Sequence, residues 1–294
     1  MKKYFLLFFI LTLFFFSCKS EKKEFSAFKI ADDTGKEFSF DSIPKRIVSL
    51  APSITESLFA IGASENVIAV TDYCNYPQET NSKIRVGGII DPNIEVIASL
   101  KPDLILTTVE GNSKSAYQSL INLGYKVFVV NPRNTDGILK MLGDFGKITN
   151  RTANADSLIK KIDSTRNFYN RIQSDISTRP KTVVLVSLNP LITVNSSTYI
   201  NEIVNLAGFN NIFADESLPY PVINGESVLL RNPEYIILIS ELADDSGEYL
   251  NTLKKYFEGT DALKNNKIII INSDILSRPG PRIIAAIEYL FSKK

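Results

Sequence analysis

The sequence predicts an α/β protein built as two similar lobes, each a parallel sheet with helices on both faces, bridged by one long α-helix. Three observations lead there. Short β-branched apolar runs alternate with helical patterns, the signature of parallel sheets covered on both sides. A set of residues recurs in the same order in both halves of the chain. Between the halves, a one-faced helical period persists over about 40 residues, or roughly 60 Å of rise. The 294 residues suffice for two lobes of roughly 100–150 residues, each with its own core.

Taken from the start, Lys2 and Lys3 precede an apolar run from Tyr4 to Phe16, followed by Ser17-Cys18. A basic segment, a short apolar segment and a small residue before the cut describe a secretory signal over residues 1–17. Thirteen residues rise only about 20 Å as a helix, short of a bilayer core. Cys18 resembles the lipobox cysteine of bacterial lipoproteins, which becomes the acylated N-terminus, although Phe15 and Phe16 stand where Leu and a small residue are commoner. The bland alternative is an unmodified Cys behind an uncleaved anchor. Residues 18–27 are then a lipidated Cys and a flexible polar tether. The expected location is the cell envelope, lipid-anchored to a membrane and facing the periplasm or the exterior.

The first lobe is expected over residues 28–135. A hairpin at 28–30 and 37–40 flanks Asp32-Asp33-Thr34-Gly35, and buried strands are expected at 47–50, 67–71, 104–107 and 126–130. Helices fall at 55–61, 93–100 and 115–123. The bridging helix is placed at 136–179, with apolar residues on one face from Ile138 to Ile172 and continuous to about residue 176. Thr135 or Asp136 can cap its start, and Pro180 forbids its continuation. A coiled-coil arm is the bland alternative, but a single apolar stripe needs a surface to cover. The second lobe takes residues 180–294, with strands at 183–186, 235–239 and 267–271 and helices at 199–207 and 281–291.

The internal echo aligns the lobes. Val48-Ser49-Leu50-Ala51-Pro52 leads to a helix ending at Gly62, and Val186-Ser187-Leu188-Asn189-Pro190 leads to one ending at Gly208. Glu56 and Glu202 stand at the same distance before those glycines. Glu95, Ile97, Pro102, Asp103 and Ile105 match Glu226, Val228, Pro233, Glu234 and Ile236 at a constant offset. A groove between two such lobes, with one stiff strut limiting their closure, suits capture of a small molecule. That expectation requires the 136–176 rod to be intact and the two sheets to be separate.

Composition narrows the chemistry. Net charge is +1, or −1 once Lys2 and Lys3 leave with the leader (31 basic against 32 acidic residues), so no nucleic-acid footprint is present. The chain has no His, which removes the commonest zinc ligand and general base, and a serine triad with it. With two Cys, one of them the lipidation candidate, neither a disulfide nor a zinc site is expected, and Cys74 reads as a small buried filler. Ser157-Leu158-Ile159-Lys160 fits a Ser-x-x-Lys pattern, but it lies inside the bridging helix and the spacing recurs at Ser42–Lys45. No catalytic residue, bound cofactor or metal site is therefore expected. An enzyme or an adhesive surface lipoprotein on the same scaffold are the alternatives. Glu110, in the Glu110-Gly111-Asn112 loop, lies after a strand's carboxyl end, where open α/β sheets bind ligands.

Residues 46–56 (Arg-Ile-Val-Ser-Leu-Ala-Pro-Ser-Ile-Thr-Glu) resemble the opening strand and helix of the periplasmic binding proteins for vitamin B12, ferric siderophores and haem. So do Tyr73-Cys74-Asn75-Tyr76-Pro77, the stretch from Gly87-Gly88 to Asp103, and Pro279-Gly280-Pro281-Arg282. The resemblance covers about residues 28–292 and is closest to the cobalamin-binding branch. It implies two α/β lobes on one long helix and a corrinoid, siderophore or haem ligand, which itself contains cobalt or iron. It also implies a monomer that delivers to an ABC permease dimer with a separate ATPase. Glu95 and Glu226 match the acidic residues that dock onto permease arginines. Their other reading, open beside the first, is as first-turn acids that complement helix dipoles. Tyr73 and Tyr220 match aromatics packed against the ligand, and Asp274 to Arg278 match a loop closing over it, with Arg278 as a donor. Each tyrosine has an ordinary core or loop role as its alternative. The chain departs from that branch in having no Trp, and in Ile89 and Val186 at aromatic positions. Haem stays open through Tyr ligation.

Overall fold

The computed structural model describes residues 26–174, 176–240 and 248–294. The expected leader, Cys18 and most of the tether lie outside the described residues.

The first lobe is a five-stranded, all-parallel sheet. Its strands are β3 (Ile47–Ser49), β4 (Val67–Val70), β5 (Ile84–Arg85), β6 (Leu104–Thr108) and β7 (Val127–Val130), in the order β5-β4-β3-β6-β7. Ile47, Val48, Leu104, Ile105, Leu106 and Val127 are fully buried, as expected of parallel strands covered on both faces. Ahead of it, the antiparallel hairpin β1 (Phe28–Ala31) and β2 (Glu37–Phe40) protects the edge of β7. The Asp32 carboxylate accepts from the Thr34 and Lys36 amides (2.9 and 3.0 Å) and from that of Val129 (3.2 Å). The Asp33 amide donates to the Val129 carbonyl (3.0 Å), so the exposed donors and acceptors of an edge strand are paired.

The second lobe repeats the plan with four parallel strands. These are β8 (Lys181–Leu185), β11 (Asn210–Asn211), β12 (Tyr235–Ser240) and β13 (Ile268–Asn272), in the order β11-β8-β12-β13. The repeat is not complete. After β8 a small hairpin is inserted, β9 (Ser187–Leu188) with β10 (Leu191–Ile192), which the echo did not reveal. In each lobe the chain leaves the first strand to one side and returns on the other. The switch points therefore fall between β3 and β6 and between β8 and β12, and loops at such a crevice are where open α/β sheets hold ligands.

The paired helices carry matching signals. Helix α1 (Pro52–Ala60) begins with Pro at its first turn and is followed by Gly62 at φ +77°. Helices α2 (Ile94–Ser99) and α3 (Lys114–Asn122) are capped by the Asn93 and Ser113 side chains. In the second lobe, α6 (Tyr199–Leu206) is capped by Thr198 and followed by Gly208 at φ +89°.

The bridge departs from expectation. The stretch from 136 to 176 is two helices, α4 (Thr135–Ile148) and α5 (Thr152–Ser174). The break is a Schellman-type stop. The Arg151 amide donates to the Gly146 carbonyl (2.7 Å) and the Asn150 amide to that of Lys147 (3.3 Å), with Asn150 left-handed at φ +55°. The chain then turns back. Arg166 of α5 pairs with Asp136 of α4 (2.5 Å), and Gly146 faces Ala155, so the two helices form an antiparallel hairpin. One long helix still bridges the lobes, but it is α5 alone, 23 residues and about 35 Å. Its far end lodges in the second lobe, where the Tyr169 ring lies 5.0 Å from that of Phe291. The sheets are separate, as required.

Gly146 is at the crossing because a Cβ there would lie 2.5 Å from the Ala155 Cβ, whereas one at Gly143 would meet only the Ile159 methyl at 3.8 Å. Gly146→Ala is therefore expected to destabilise by about 1–3 kcal/mol through overpacking, despite alanine's better helix propensity. Gly143→Ala should be neutral or stabilising. The urea midpoints of the two variants check this.

The remaining helices are α7 (Gly225–Arg231), α8 (Glu248–Phe257), α9 (Asp261–Lys264), α10 (Ser273–Leu276) and α11 (Ile283–Ser292).

Candidate functional site

A cleft of about 1140 Å³ runs between the lobes. Its walls come from carboxyl ends of parallel strands in both lobes. In the first lobe these are Ala51-Pro52-Ser53 after β3, Thr108 at the end of β6 with Glu110 and Gly111 beyond it, and Asn131-Pro132 after β7, with Tyr73 and Ile89 beside them. In the second they are Val186 to Leu188 after β8, Leu218-Pro219-Tyr220, Ile239-Ser240 at the end of β12, and the segment after β13 that carries Asp274, Arg278 and Pro279. Both topological switch points open onto this space.

All five residues proposed from the sequence for ligand contact line the cleft: Tyr73, Glu110, Tyr220, Asp274 and Arg278. Tyr73 and Tyr220 keep 57% and 40% of their surface exposed, so their rings are available to cover a bound molecule. Sequence reasoning missed two further tyrosines in the lining, Tyr199 and Tyr249. Tyr199 had read only as the start of a helix, and it is the first residue of α6. Burial, and after it the Glu110 charge, pushes the Tyr220 phenol up to about 12. Tyr199 is raised well above the ordinary phenol value by its own burial. Both are neutral hydrogen-bonding groups at physiological pH.

Each of the three charged residues in the described lining has an ionic partner. Glu110 faces Arg133 at 3.7 Å, Asp274 pairs with Arg278, and Arg278 reaches Glu56 at 2.9 Å. Arg278 was expected to serve as a ligand donor. Its two terminal nitrogens are instead directed to Glu56, to Asn75 Oδ1 (2.8 Å), to the Tyr73 carbonyl (3.2 Å) and to Asp274.

That network centres on Glu56, which is 3% exposed. Its carboxylate takes a two-pronged contact from Arg282, Nε at 2.7 Å and Nη2 at 2.6 Å, besides the Arg278 bond. Asn75 Nδ2 donates to Asp274 Oδ2 (2.8 Å), and the Arg282 guanidinium lies 4.4 Å from the centre of the Tyr76 ring. Lobe one supplies Glu56, Tyr73, Asn75 and Tyr76, and lobe two supplies Asp274, Arg278 and Arg282. The echo between Glu56 and Glu202 was the available signal. Glu202 of α6 also crosses the boundary, accepting from the Thr135 amide at the start of α4 (2.7 Å).

The paired acids Glu95 and Glu226 are exposed in the first turns of α2 and α7, which are capped by Asn93 and Asn224. Both helix starts are at the cleft end of their lobes. The Asn93 amide donates to the carbonyl of Val86, the residue after β5, and Val222 bridges to Ile192 of β10. The first-turn dipole reading is thus met in geometry. It leaves both carboxylates exposed to solvent. Ser157–Lys160 lies within α5, and Ser42–Lys45 lies outside any helix. Cys74 is buried beside the Thr55 and Thr71 hydroxyls (3.2 Å each).

Comparison with known proteins adds the following. A family model described as periplasmic binding protein matches residues 47–275. The vitamin B12-binding protein of Photorhabdus laumondii is 31% identical over 254 residues, covering 86% of this chain and 88% of that protein. The crystal structure of the periplasmic vitamin B12 binding protein of Vibrio cholerae superposes with a TM-score of 0.74 at 26% identity, covering 85% of this chain and 96% of that one. A possible iron-binding (periplasmic solute-binding) protein from Staphylococcus epidermidis superposes equally well, at 25% identity and a TM-score of 0.74, over 86% and 99% of the two chains.

Proposed function

This chain belongs to the periplasmic binding protein family and is a substrate-binding protein, and on that premise we propose that it captures a corrinoid in the interlobe cleft for an ABC importer. The observation that carries the choice of ligand is the chemistry of the cleft. Its described charges are all paired within the protein, and the rest of its walls are apolar residues, tyrosines and uncharged serine, threonine and asparagine side chains. A cobalamin is large, rich in amides and without strong net charge, and it finds hydrophobic cover and hydrogen-bonding hydroxyls here. Haem carboxylates and anionic ferric chelates need an unpaired cation, and the described lining offers none.

The rest of the reading follows from the sequence. Cys18 is the acylated anchor behind a cleaved leader, in the cell envelope. The chain works as a monomer without a catalytic step. Glu95 and Glu226 dock onto a two-fold permease whose ATPase is a separate chain, where charge pairing sets register and on-rate.

A thermal-shift panel of cobalamin, cobinamide, haem and a ferric hydroxamate tests the ligand class. Corrinoid at a hundred times its Kd should stabilise the chain by about 2.7 kcal/mol, with a matching rise in Tm. A shift with haem or the ferric chelate and none with either corrinoid overturns the assignment.

A further inference from the structure

We propose that Glu56 is a positioning residue that locks the lobes together at one end of the cleft and fixes the loop carrying Asp274 and Arg278 in its wall. Only the ligand arm of the test rests on the corrinoid reading.

Three observations converge. First, every hydrogen bond identified to the Glu56 carboxylate comes from the other lobe, from residues more than 220 positions away. A carboxylate this deeply buried costs several kcal/mol unless it is paired, so separating the lobes here strands a charge. Second, the joint is extended on both sides. Asn75 accepts from Arg278 and donates to Asp274, and Arg282 also donates from Nη2 to the Asp274 carbonyl (2.7 Å). A Cβ on Gly280 would come within 3.5 Å of the Ser53 carbonyl, so the loop backbone lies against α1 itself. Third, the internal symmetry repeats the device in weaker form. Glu56 on α1 grips the segment between β13 and α11, and Glu202 on α6 grips the first residue of α4, just after β7. The Glu56 contact employs two guanidiniums, and the Glu202 contact a single backbone amide.

A buried ion cluster is weak evidence for stability, because well-packed apolar groups often do as well, but it is demanding of geometry. Its effect here is on register. It holds one end of the cleft fixed and confines lobe motion to a pivot about that end. Handing over the ligand then requires this joint to rotate or break.

The test uses the mature chain with spin labels at Ser115→Cys on α3 and Lys254→Cys on α8. Both sites are exposed, and Cys74 is buried. Without ligand, the parent should give a single narrow interlobe distance. Glu56→Gln, which keeps the volume and removes the charge, should broaden that distribution and shift it to longer distances. Glu56→Asp should fall between the two. Cobalamin affinity should drop about tenfold in Glu56→Gln. Should Glu56→Gln fail to show a cooperative melt, Arg282→Lys takes its place, since it removes the two-pronged contact while keeping the charge. A parent-like narrow distribution in whichever of these folds overturns the proposal. A broadened distribution in a protein that binds no corrinoid leaves the joint standing and removes the ligand reading instead.

Discussion

Replacing both Glu95 and Glu226 with alanine is expected to cut transport at least tenfold in proteoliposomes holding the cognate permease, while ligand affinity stays unchanged. The two carboxylates are exposed, lie in equivalent first turns and occupy the cleft end of separate lobes. Neither lines the cleft. Charge pairs formed across an interface couple by about 1.5–7 kcal/mol, and about 1.4 kcal/mol already amounts to tenfold. Charge reversal with Glu95→Lys and Glu226→Lys should be worse, and the parent's transport should weaken with salt. Each single alanine should remove part of the effect, because the lobes contribute one contact apiece. Transport equal to the parent's in the double variant removes the docking assignment.

The second large effect is expected at Tyr73 and Tyr220. They line the cleft from different lobes and keep 57% and 40% of their surface exposed. Covering a ring on binding contributes about 1.5 kcal/mol or more. Tyr73→Ala with Tyr220→Ala should therefore weaken cobalamin binding on the order of a hundredfold. The melting temperature should barely move, because neither side chain is in the core. Tyr220→Phe keeps the ring and loses only the hydroxyl, a loss of about 1 kcal/mol. Since the phenol is pushed up to about 12, it stays protonated and affinity should be flat from about pH 6 to pH 9. A steep change of affinity within that range would contradict this expectation.

The strands were legible because parallel sheets buried on both faces leave β-branched runs such as Ile47-Val48 and Val183-Val184, now fully buried. The lobes were legible because equivalent helices end at Gly62 and Gly208, both with positive φ. The break at Thr149–Arg151 was not. An antiparallel hairpin turns the stripes of both helices toward one core, so the apolar period runs on across the turn. The only local sign was Asn150, at the one position that needs a left-handed backbone. The lobes need no unbroken rod from 136 to 176, because α5 alone touches both: the Asn154 side-chain amide donates to the Ile61 carbonyl of the first lobe, and the Tyr169 ring meets Phe291 of the second. The five candidate ligand residues came from a resemblance and from strand ends, and all five line the cleft. The joint around Glu56 escaped because its partners are 222 and 226 positions away, and no local period links an acid on α1 to arginines before α11.

Titration calorimetry of cobalamin into the mature chain tests most directly that the groove between the lobes is a corrinoid site. One molecule bound per chain, with a negative heat-capacity change from burial of apolar surface, is the predicted result. A properly folded chain that takes up no cobalamin, or binds it undiminished after both Tyr73 and Tyr220 are cut to alanine, would contradict it.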